Sequence, residues 1–199
     1  MDIFIATFLK MFFIMTPFFV LSVFLTVTHD ATAKEKKALA IKVTISVVIM
    51  SLVLLFFGKH IFAVFGITLD AFRIGAGALL FLSAVELIKG NKDTGKVGDK
   101  DISQLAVVPL AIPVTIGPGT IGILLVMGAT FDSTSSMIMG CLALISAVLV
   151  IGIMLYSSSI IESIIGKQGL LVISKITGLF LSALAAQIVF TGIKNFLGL

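Results

Sequence analysis

Charged side chains are scarce in this sequence: Asp, Glu, Lys and Arg together make up 12% of its 199 residues. Soluble domains carry roughly 25% charged residues. The hydrophobic share is 59%, and the mean hydropathy is +1.24. Because this composition cannot cover a water-facing surface, it excludes a soluble domain and predicts an integral membrane protein.

Cysteine and histidine are almost absent as well. The single cysteine, Cys141, can form no internal disulfide and lies in an apolar run, where a small packing residue is the simpler interpretation. The two histidines, His29 and His60, fall on opposite sides of the predicted membrane and cannot share a metal ion. No metalloprotease or serine-nucleophile motif occurs. The sequence therefore predicts no enzyme, no metal site and no cofactor.

Long apolar stretches dominate what is present. A helix that crosses a bilayer needs about 20 apolar residues, and helices are expected because open sheet edges do not occur in lipid. The sequence predicts six spans in one transmembrane domain, residues 1–199: Ile3–Thr28, Ala40–Phe57, Leu69–Ile88, Gln104–Thr130, Ser136–Tyr156 and Leu170–Leu197.

The basic residues are distributed unequally between the predicted loops. Ten follow spans one, three and five: Lys34, Lys36, Lys37, Lys42, Lys89, Lys92, Lys96, Lys100, Lys167 and Lys175. The opposite side has four: Lys10, Lys59, Arg73 and Lys194. The positive-inside rule then places both termini outside the cytoplasmic membrane. Since no span has a basic face with interleaved aromatics, the net charge of +4 indicates orientation and not a nucleic-acid partner.

A weak internal repeat relates the two halves at an offset of 100 to 102 residues. The alignment pairs Pro17 with Pro118, Arg73 with Lys175, and Gly90 with Gly192. Repeat one then covers about 1–90, a cytoplasmic loop about 90–103, and repeat two about 104–199. Three spans per repeat would invert the second unit relative to the first, as in many secondary transporters. A chance alignment of apolar residues is the alternative.

Three prolines interrupt the fourth span: Pro109, Pro113 and Pro118, with Gly117 and Gly119 beside the last. Prolines remove backbone donors and glycines free the chain, so a continuous helix is not expected. The second half-helix would present unpaired amides and its positive dipole end to a carboxylate. These glycines also match the pattern G-x-G-x-x-G, but a membrane helix has no preceding strand, so no nucleotide is predicted.

Span one has a milder interruption at Thr16-Pro17, with Ser22 further along. Breaks at corresponding places in two halves are typical of a transporter's substrate site. The alternative is a pair of packing kinks whose freed carbonyls are capped by Ser and Thr side chains. The sequence leaves both interpretations open.

Charged residues in span three are candidates for gating or ion coupling. Asp70 and Arg73 lie three residues apart on one helical face and could pair with each other. Glu86 lies 13 residues beyond Arg73 (86 − 73), about 20 Å along a helix. Ordinary interfacial anchoring is the alternative for all three. The small residues around Gly75 and Gly77 predict close helix packing, within this bundle or in a homo-oligomer.

Two motifs resemble the MarC family of membrane proteins: Ala71-Phe72-Arg73-Ile74-Gly75-Ala76-Gly77, and Val108-Pro109-Leu110-Ala111-Ile112-Pro113 followed by Gly117-Pro118-Gly119. The resemblance covers essentially the whole chain. It implies an inner-membrane protein, with ion-coupled transport of glycine, alanine or similar amino acids in some members. Family members tend to read Asn-Pro-x-Gly in span one, where this chain has Thr16-Pro17-Phe18-Phe19. Phe19 would narrow a pocket there.

The sequence as a whole thus predicts an ion-coupled transporter of small neutral amino acids, with a proton or sodium ion as the coupling partner. The predicted substrate-binding residues are Thr16, Pro17, Ser22, Pro113, Thr115, Gly117, Pro118, Gly119, Thr120 and Ile121. The amides of Gly119, Thr120 and Ile121 would bind the carboxylate, while hydroxyls and freed carbonyls would bind the ammonium. An exporter of another solute and a non-transporting membrane scaffold are the alternatives.

Overall fold

The computed structural model describes residues 2–89, 110–111 and 114–198. The predicted loop 90–103 lies outside the described residues. Pro109 and the predicted substrate-binding residue Pro113 also lie outside them. Seven helices are described: α1 (Asp2–Ile14), α2 (Pro17–Val27), α3 (Ala33–Phe65), α4 (Leu69–Lys89), α5 (Pro118–Thr130), α6 (Thr134–Tyr156) and α7 (Ser158–Leu197). Over these ranges all regular structure is helical, which confirms the all-α class.

Five helical segments are long and apolar enough to cross a membrane. They are Phe4–Val27, which joins α1 and α2, then Ala33–Phe57 in α3, and the whole of α4, α6 and α7. The α5 helix is apolar but shorter. The structure thus confirms a helical membrane protein, while the count of six spans stays a prediction because the first half of span four is mostly outside the described residues.

The α3 helix is longer at both ends than the predicted span 40–57. At its start, Glu35 N donates to Thr32 Oγ1 at 3.3 Å, and Thr32 N donates to Glu35 Oε2 at 2.8 Å. This capping box satisfies two backbone donors and lets the helix begin within the polar segment. At the other end, Gly66 adopts φ 63°, a left-handed conformation that ends the helix without a Cβ clash.

The second half of the chain repeats these end signals. Ser133 and Ser136 form the capping box of α6, 101 residues after Thr32 (133 − 32). Ser158 begins a helix where the sequence predicted a loop, and Gly166 interrupts that helix with φ 72°. Gly166 lies 100 residues after Gly66, so the same local chemistry ends the corresponding helical segment in both halves.

The centre of the fold is the crossing of α4 with α7. A Cβ placed on Gly77 would lie 3.1 Å from the Ala185 carbonyl oxygen, and a Cβ placed on Gly178 would lie 3.2 Å from the Ala84 carbonyl oxygen. Contacts at higher residue numbers in α4 involve lower residue numbers in α7, so the two helices run antiparallel. Both glycines allow backbone-to-backbone packing that a larger residue would prevent.

The other helices pack around this pair. The α5 helix packs against α3 and α4, α2 packs against α7, and α1 packs against α6. The small-residue face predicted in span three is used inside the bundle at Gly77, and at Ala76, which faces Gly122 of α5. Gly75, in contrast, has no atom within 4 Å of a Cβ placed on it.

Candidate functional site

The first helix break lies between α1 and α2. Thr16 adopts φ 47° and ψ 58°, and it is the one non-glycine residue with positive φ in the described part of the chain. Pro17 follows as the first residue of α2, and Val20 N donates to the Thr16 carbonyl at 3.0 Å. The amides of Phe18 and Phe19 therefore lie in the first turn, where the helix offers no acceptor.

Before the second break, the chain forms a wide π-type turn. Ile116 N donates to the Ala111 carbonyl at 2.9 Å, five residues back, and the Thr115 hydroxyl donates to the Leu110 carbonyl at 2.8 Å. The threonine thereby caps a carbonyl that the irregular backbone leaves free. At Thr115 the capping interpretation therefore applies, and the hydroxyl hydrogen is already used.

The α5 helix begins immediately after this turn, with Gly117 as its N-cap and Pro118 as its first residue. Ile121 N donates to the Gly117 carbonyl at 3.0 Å, which removes Ile121 from the amides that could bind a ligand. The backbone amides of Gly119 and Thr120 precede the first intrahelical hydrogen bond and have no acceptor in the helix. Both breaks thus have two first-turn amides, directly after a proline, for which the described residues provide no backbone acceptor.

Thr120 differs from Thr115 although both are buried. Its exposed fraction is 4%, and its hydroxyl has no hydrogen-bond partner among the residues that the structure describes. The fully enclosed hydroxyls without a partner in the described residues are those of Ser51 and Ser174, so the Thr120 oxygen keeps some access for a ligand or water. Within the described part of the chain, the Thr120 hydroxyl and the amides of Gly119 and Thr120 therefore lie together at one helix start without a bonded partner.

The surroundings of the α5 start are apolar and close-packed. Ile116 is fully buried, and a Cβ placed on Gly119 would lie 2.8 Å from Cα of Leu80 in α4. No Asp, Glu, Lys or Arg is among the buried residues of the described ranges. In such a dry environment the positive end of a helix dipole acts strongly on an anion.

The two breaks are held by different helices of the central pair. The α5 helix docks on α4 through Gly119 and Gly122, whereas α2 packs on α7. The described helices α2 and α5 share no extended interface. Ser22 lies five residues beyond Pro17 (22 − 17), about 7.5 Å along α2, so it is not at the break itself.

The predicted pair in span three is confirmed as an ion pair. Arg73 Nη1 donates to Asp70 Oδ1 at 2.7 Å, and their side chains are 19% and 27% exposed. Asn195 Nδ2, from the end of α7, also donates to Asp70 Oδ1 at 3.4 Å. Glu86 is exposed and forms no ion pair within the described residues. Sequence reasoning missed Asn195, whose one signal was an amide side chain near the end of the last span.

The comparisons with known proteins agree with this architecture. A family model described as MarC family integral membrane protein matches residues 1–197. A protein named UPF0056 membrane protein from Pyrococcus horikoshii is 33% identical over 198 residues, covering 98% of this chain and 96% of its own length. Proteins with the same printed name from Methanocaldococcus jannaschii and Aquifex aeolicus are each 31% identical, with coverage of 94% or more. No solved structure matches significantly.

Proposed function

This chain belongs to the MarC family of integral membrane proteins, and from this premise we propose that it is a secondary transporter of small neutral amino acids across the cytoplasmic membrane. The observation that carries the proposal is the buried start of α5, where the amides of Gly119 and Thr120 have no acceptor among the described residues. A helix end buried without partners for its donors requires a ligand, water or another group to complete it. An amino-acid carboxylate has the matching charge and acceptors.

A zwitterion fits this site better than a charged solute. The buried described residues carry no charged side chain that could compensate a net charge, and an uncompensated ion in a dry interior is costly. Each break joins the carbonyl end of one helical segment to the amide end of the next. One backbone interruption thus supplies partners for both the ammonium and the carboxylate.

The proposal includes two inverted repeats with six spans and both termini outside. The α4–α7 crossing has two equivalent contacts, Gly77 with Ala185 and Gly178 with Ala84. Shifting each residue of the first contact by 101 positions into the other half (77 + 101 and 185 − 101) gives the second. A two-fold axis relating antiparallel helices is perpendicular to them. If those helices span the bilayer, the axis lies in the membrane plane, as in inverted-repeat transporters.

Transport would proceed by alternating access driven by a proton or sodium gradient. The α5 break moves with α4 and the α2 break with α7, so a rotation of the α4–α5 pair relative to the α2–α7 pair would open the space around the breaks to one side and then the other. The Asp70–Arg73 pair and Asn195 bridge α4 to α7 at one end of their crossing. This bridge supports a gating role for Asp70 and Arg73 and leaves Glu86 outside it.

Flux measurements in proteoliposomes test the proposal. Labelled glycine, alanine and serine, with larger and charged amino acids beside them, would be presented with a proton gradient, a sodium gradient or none. Saturable, gradient-dependent uptake of the small neutral substrates is the expected result. Flux of a different solute alone would indicate the exporter alternative, and absence of flux for every solute would favour the scaffold.

The variant Thr120→Val tests the placement of the site. It keeps the shape of the side chain and removes the unpartnered hydroxyl, so we expect the KM for alanine to rise about tenfold, the typical effect of one lost hydrogen bond. The control is Thr28→Val, since Thr28 is also buried but its hydroxyl donates to the Phe24 carbonyl of its own helix at 2.7 Å. Equal KM values in the two variants would place the substrate elsewhere.

A further inference from the structure

The outer face of α7 has a regular exposed seam. Residues spaced alternately four and three apart point away from the bundle and are all exposed: Ile176, Phe180, Ala183, Gln187, Phe190 and Lys194. This 3.5-residue spacing is that of a helix packing lengthwise on another helix. Phe190 is 70% exposed, one of the largest exposed apolar surfaces in the described chain. The α1 helix contacts the seam at Phe180, on which Phe13 stacks with the ring centroids 5.5 Å apart.

Gln187 lies deep in the apolar part of this seam. Lys175 and Lys194 are 19 residues apart (194 − 175), about 28 Å of helix, which is close to the thickness of the bilayer hydrocarbon. The two-fold relation that exchanges the Gly77–Ala185 and Gly178–Ala84 contacts is centred at position 181.5 of α7, the midpoint of 178 and 185, so Gln187 lies 5.5 residues, about 8 Å, from that centre. Since the hydrocarbon extends about 15 Å to either side of the middle of the bilayer, an amide at this depth lies within the hydrocarbon.

The Gln187 side chain has no hydrogen-bond partner in the described part of the chain; the nearby Thr191 hydroxyl donates to the Gln187 backbone carbonyl at 2.7 Å. A lipid-facing amide without partners is costly, and amide side chains in membranes form hydrogen bonds between helices. A primary amide is its own complement, because it donates through nitrogen and accepts through oxygen. A two-fold axis along the membrane normal would bring two copies of Gln187 together.

The corresponding seam on α4 lacks these properties. At the offset of 101, Ala183 corresponds to Leu82 and Gln187 to Glu86, both exposed. The two-fold relation places Glu86 at the same depth in the bilayer as Gln187. Two ionised carboxylates brought together by a two-fold axis would repel each other. Of the two outer faces, only that of α7 offers a small residue and a self-complementary amide one turn apart.

We propose that a second copy of this chain packs on the α7 seam, forming a parallel, two-fold symmetric dimer in which the two Gln187 amides hydrogen-bond within the hydrocarbon of the bilayer. Ala183 provides the close approach of the helices, and Ile176 and Phe190 pack on either side of the amide pair. A single polar residue in an apolar seam fixes the register of the two helices. The dimer does not depend on the proposed transport activity.

Disulfide cross-linking of the full chain in membranes tests this interface. In a Cys141→Ala background, Ala183→Cys should give a covalent dimer on mild oxidation, whereas Leu82→Cys, its counterpart on the α4 seam, should stay monomeric. Cross-linking that is equal at both positions, or absent at Ala183→Cys over a wide range of protein-to-lipid ratios, would overturn the proposal.

A second pair of variants tests the role of the amide. Gln187→Leu should raise the dimer dissociation constant in bilayers about tenfold, as expected for the loss of an interhelical hydrogen bond. Thr191→Val, which removes a hydroxyl already bonded within α7, should leave it unchanged. If Gln187→Cys instead reacts rapidly with a membrane-impermeant thiol reagent, Gln187 faces water and the dimer assignment is wrong. Transport rates provide an independent readout, since loss of dimerisation need not abolish flux.

Discussion

At the scale of single residues, Thr16 shows how a local conformation marks the first break. A β-branched residue in the left-handed region is unusual, and that region costs a non-glycine residue roughly 1 to 2 kcal/mol. Thr16 nevertheless has φ 47° there, because its conformation turns the chain from α1 into α2 ahead of Pro17. Asparagine tolerates this region better. This preference gives a physical reason for the asparagine in the family motif, which reads Asn-Pro where this chain has Thr16-Pro17.

The strain at Thr16 can be measured by substitution. Thr16→Asn should raise the free energy of unfolding in detergent by about 1 kcal/mol, because asparagine is less strained in the left-handed region. The control is Thr26→Asn, on a regular turn of α2, where the Thr26 hydroxyl donates to the Ser22 carbonyl at 2.8 Å. No gain is expected there. A lower unfolding midpoint for Thr16→Asn than for the unmodified chain would contradict this account.

At the scale of helices, glycine placement decides which faces approach each other. Gly75 and Gly77 are two residues apart in α4 but serve opposite faces. Gly77 lies against α7, where a Cβ would meet the Ala185 carbonyl, while Gly75 has open space beside it. The sequence presents both as members of one small-residue motif. Only the packing separates a residue that permits a helix crossing from one that does not.

Paired alanine substitutions test this distinction. Gly77→Ala should lower the free energy of unfolding by about 1 to 3 kcal/mol, as expected when an added carbon is forced into a packed contact. Gly178→Ala should have a similar effect, since it occupies the symmetric position. Gly75→Ala should be neutral or stabilising by up to about 1 kcal/mol, because alanine favours the helix. Thermal unfolding in detergent gives the comparison, and equal losses at Gly75 and Gly77 would be inconsistent with the packing.

At the scale of the whole molecule, the two halves have the same local signals and the same central contacts. The capping boxes of α3 and α6 and the left-handed glycines at Gly66 and Gly166 recur at an offset of 100 to 101 residues. The α4–α7 crossing repeats its own contacts under the same offset. With three spans in each half, equivalent loops would face opposite sides of the membrane.

Labelling of two equivalent loop positions tests this inverted arrangement. Ala31 and Asp132, 101 residues apart, each precede a capping box. In a Cys141→Ala background, Asp132→Cys should react with a membrane-impermeant thiol reagent added to intact cells. Ala31→Cys should react only after permeabilisation, because the positive-inside rule places its loop in the cytoplasm. Reaction of both from the same side would exclude the inverted repeat.

Much of the architecture could be predicted from the sequence because it depends on composition and on local backbone chemistry. Apolar content requires a membrane location, and the prolines at positions 17 and 118 begin helices where they stand. The Asp70–Arg73 pair also followed from its three-residue spacing on one helix. The extra helix before Gly166 was not predicted, because residues 158–165 are too few to cross a membrane and their four isoleucines alternate with serine and glutamate.

The sequence by itself determined that this is a helical membrane protein with interruptions at Thr16-Pro17 and Gly117-Pro118, because hydropathy and proline act locally. Only the tertiary structure decided which groups at those interruptions are available. It showed that the Thr115 hydroxyl and the Ile121 amide are already bonded and that no described residue bonds the Thr120 hydroxyl. Those outcomes depend on hydrogen bonds across an irregular turn and on helices distant in sequence, which no local pattern contains.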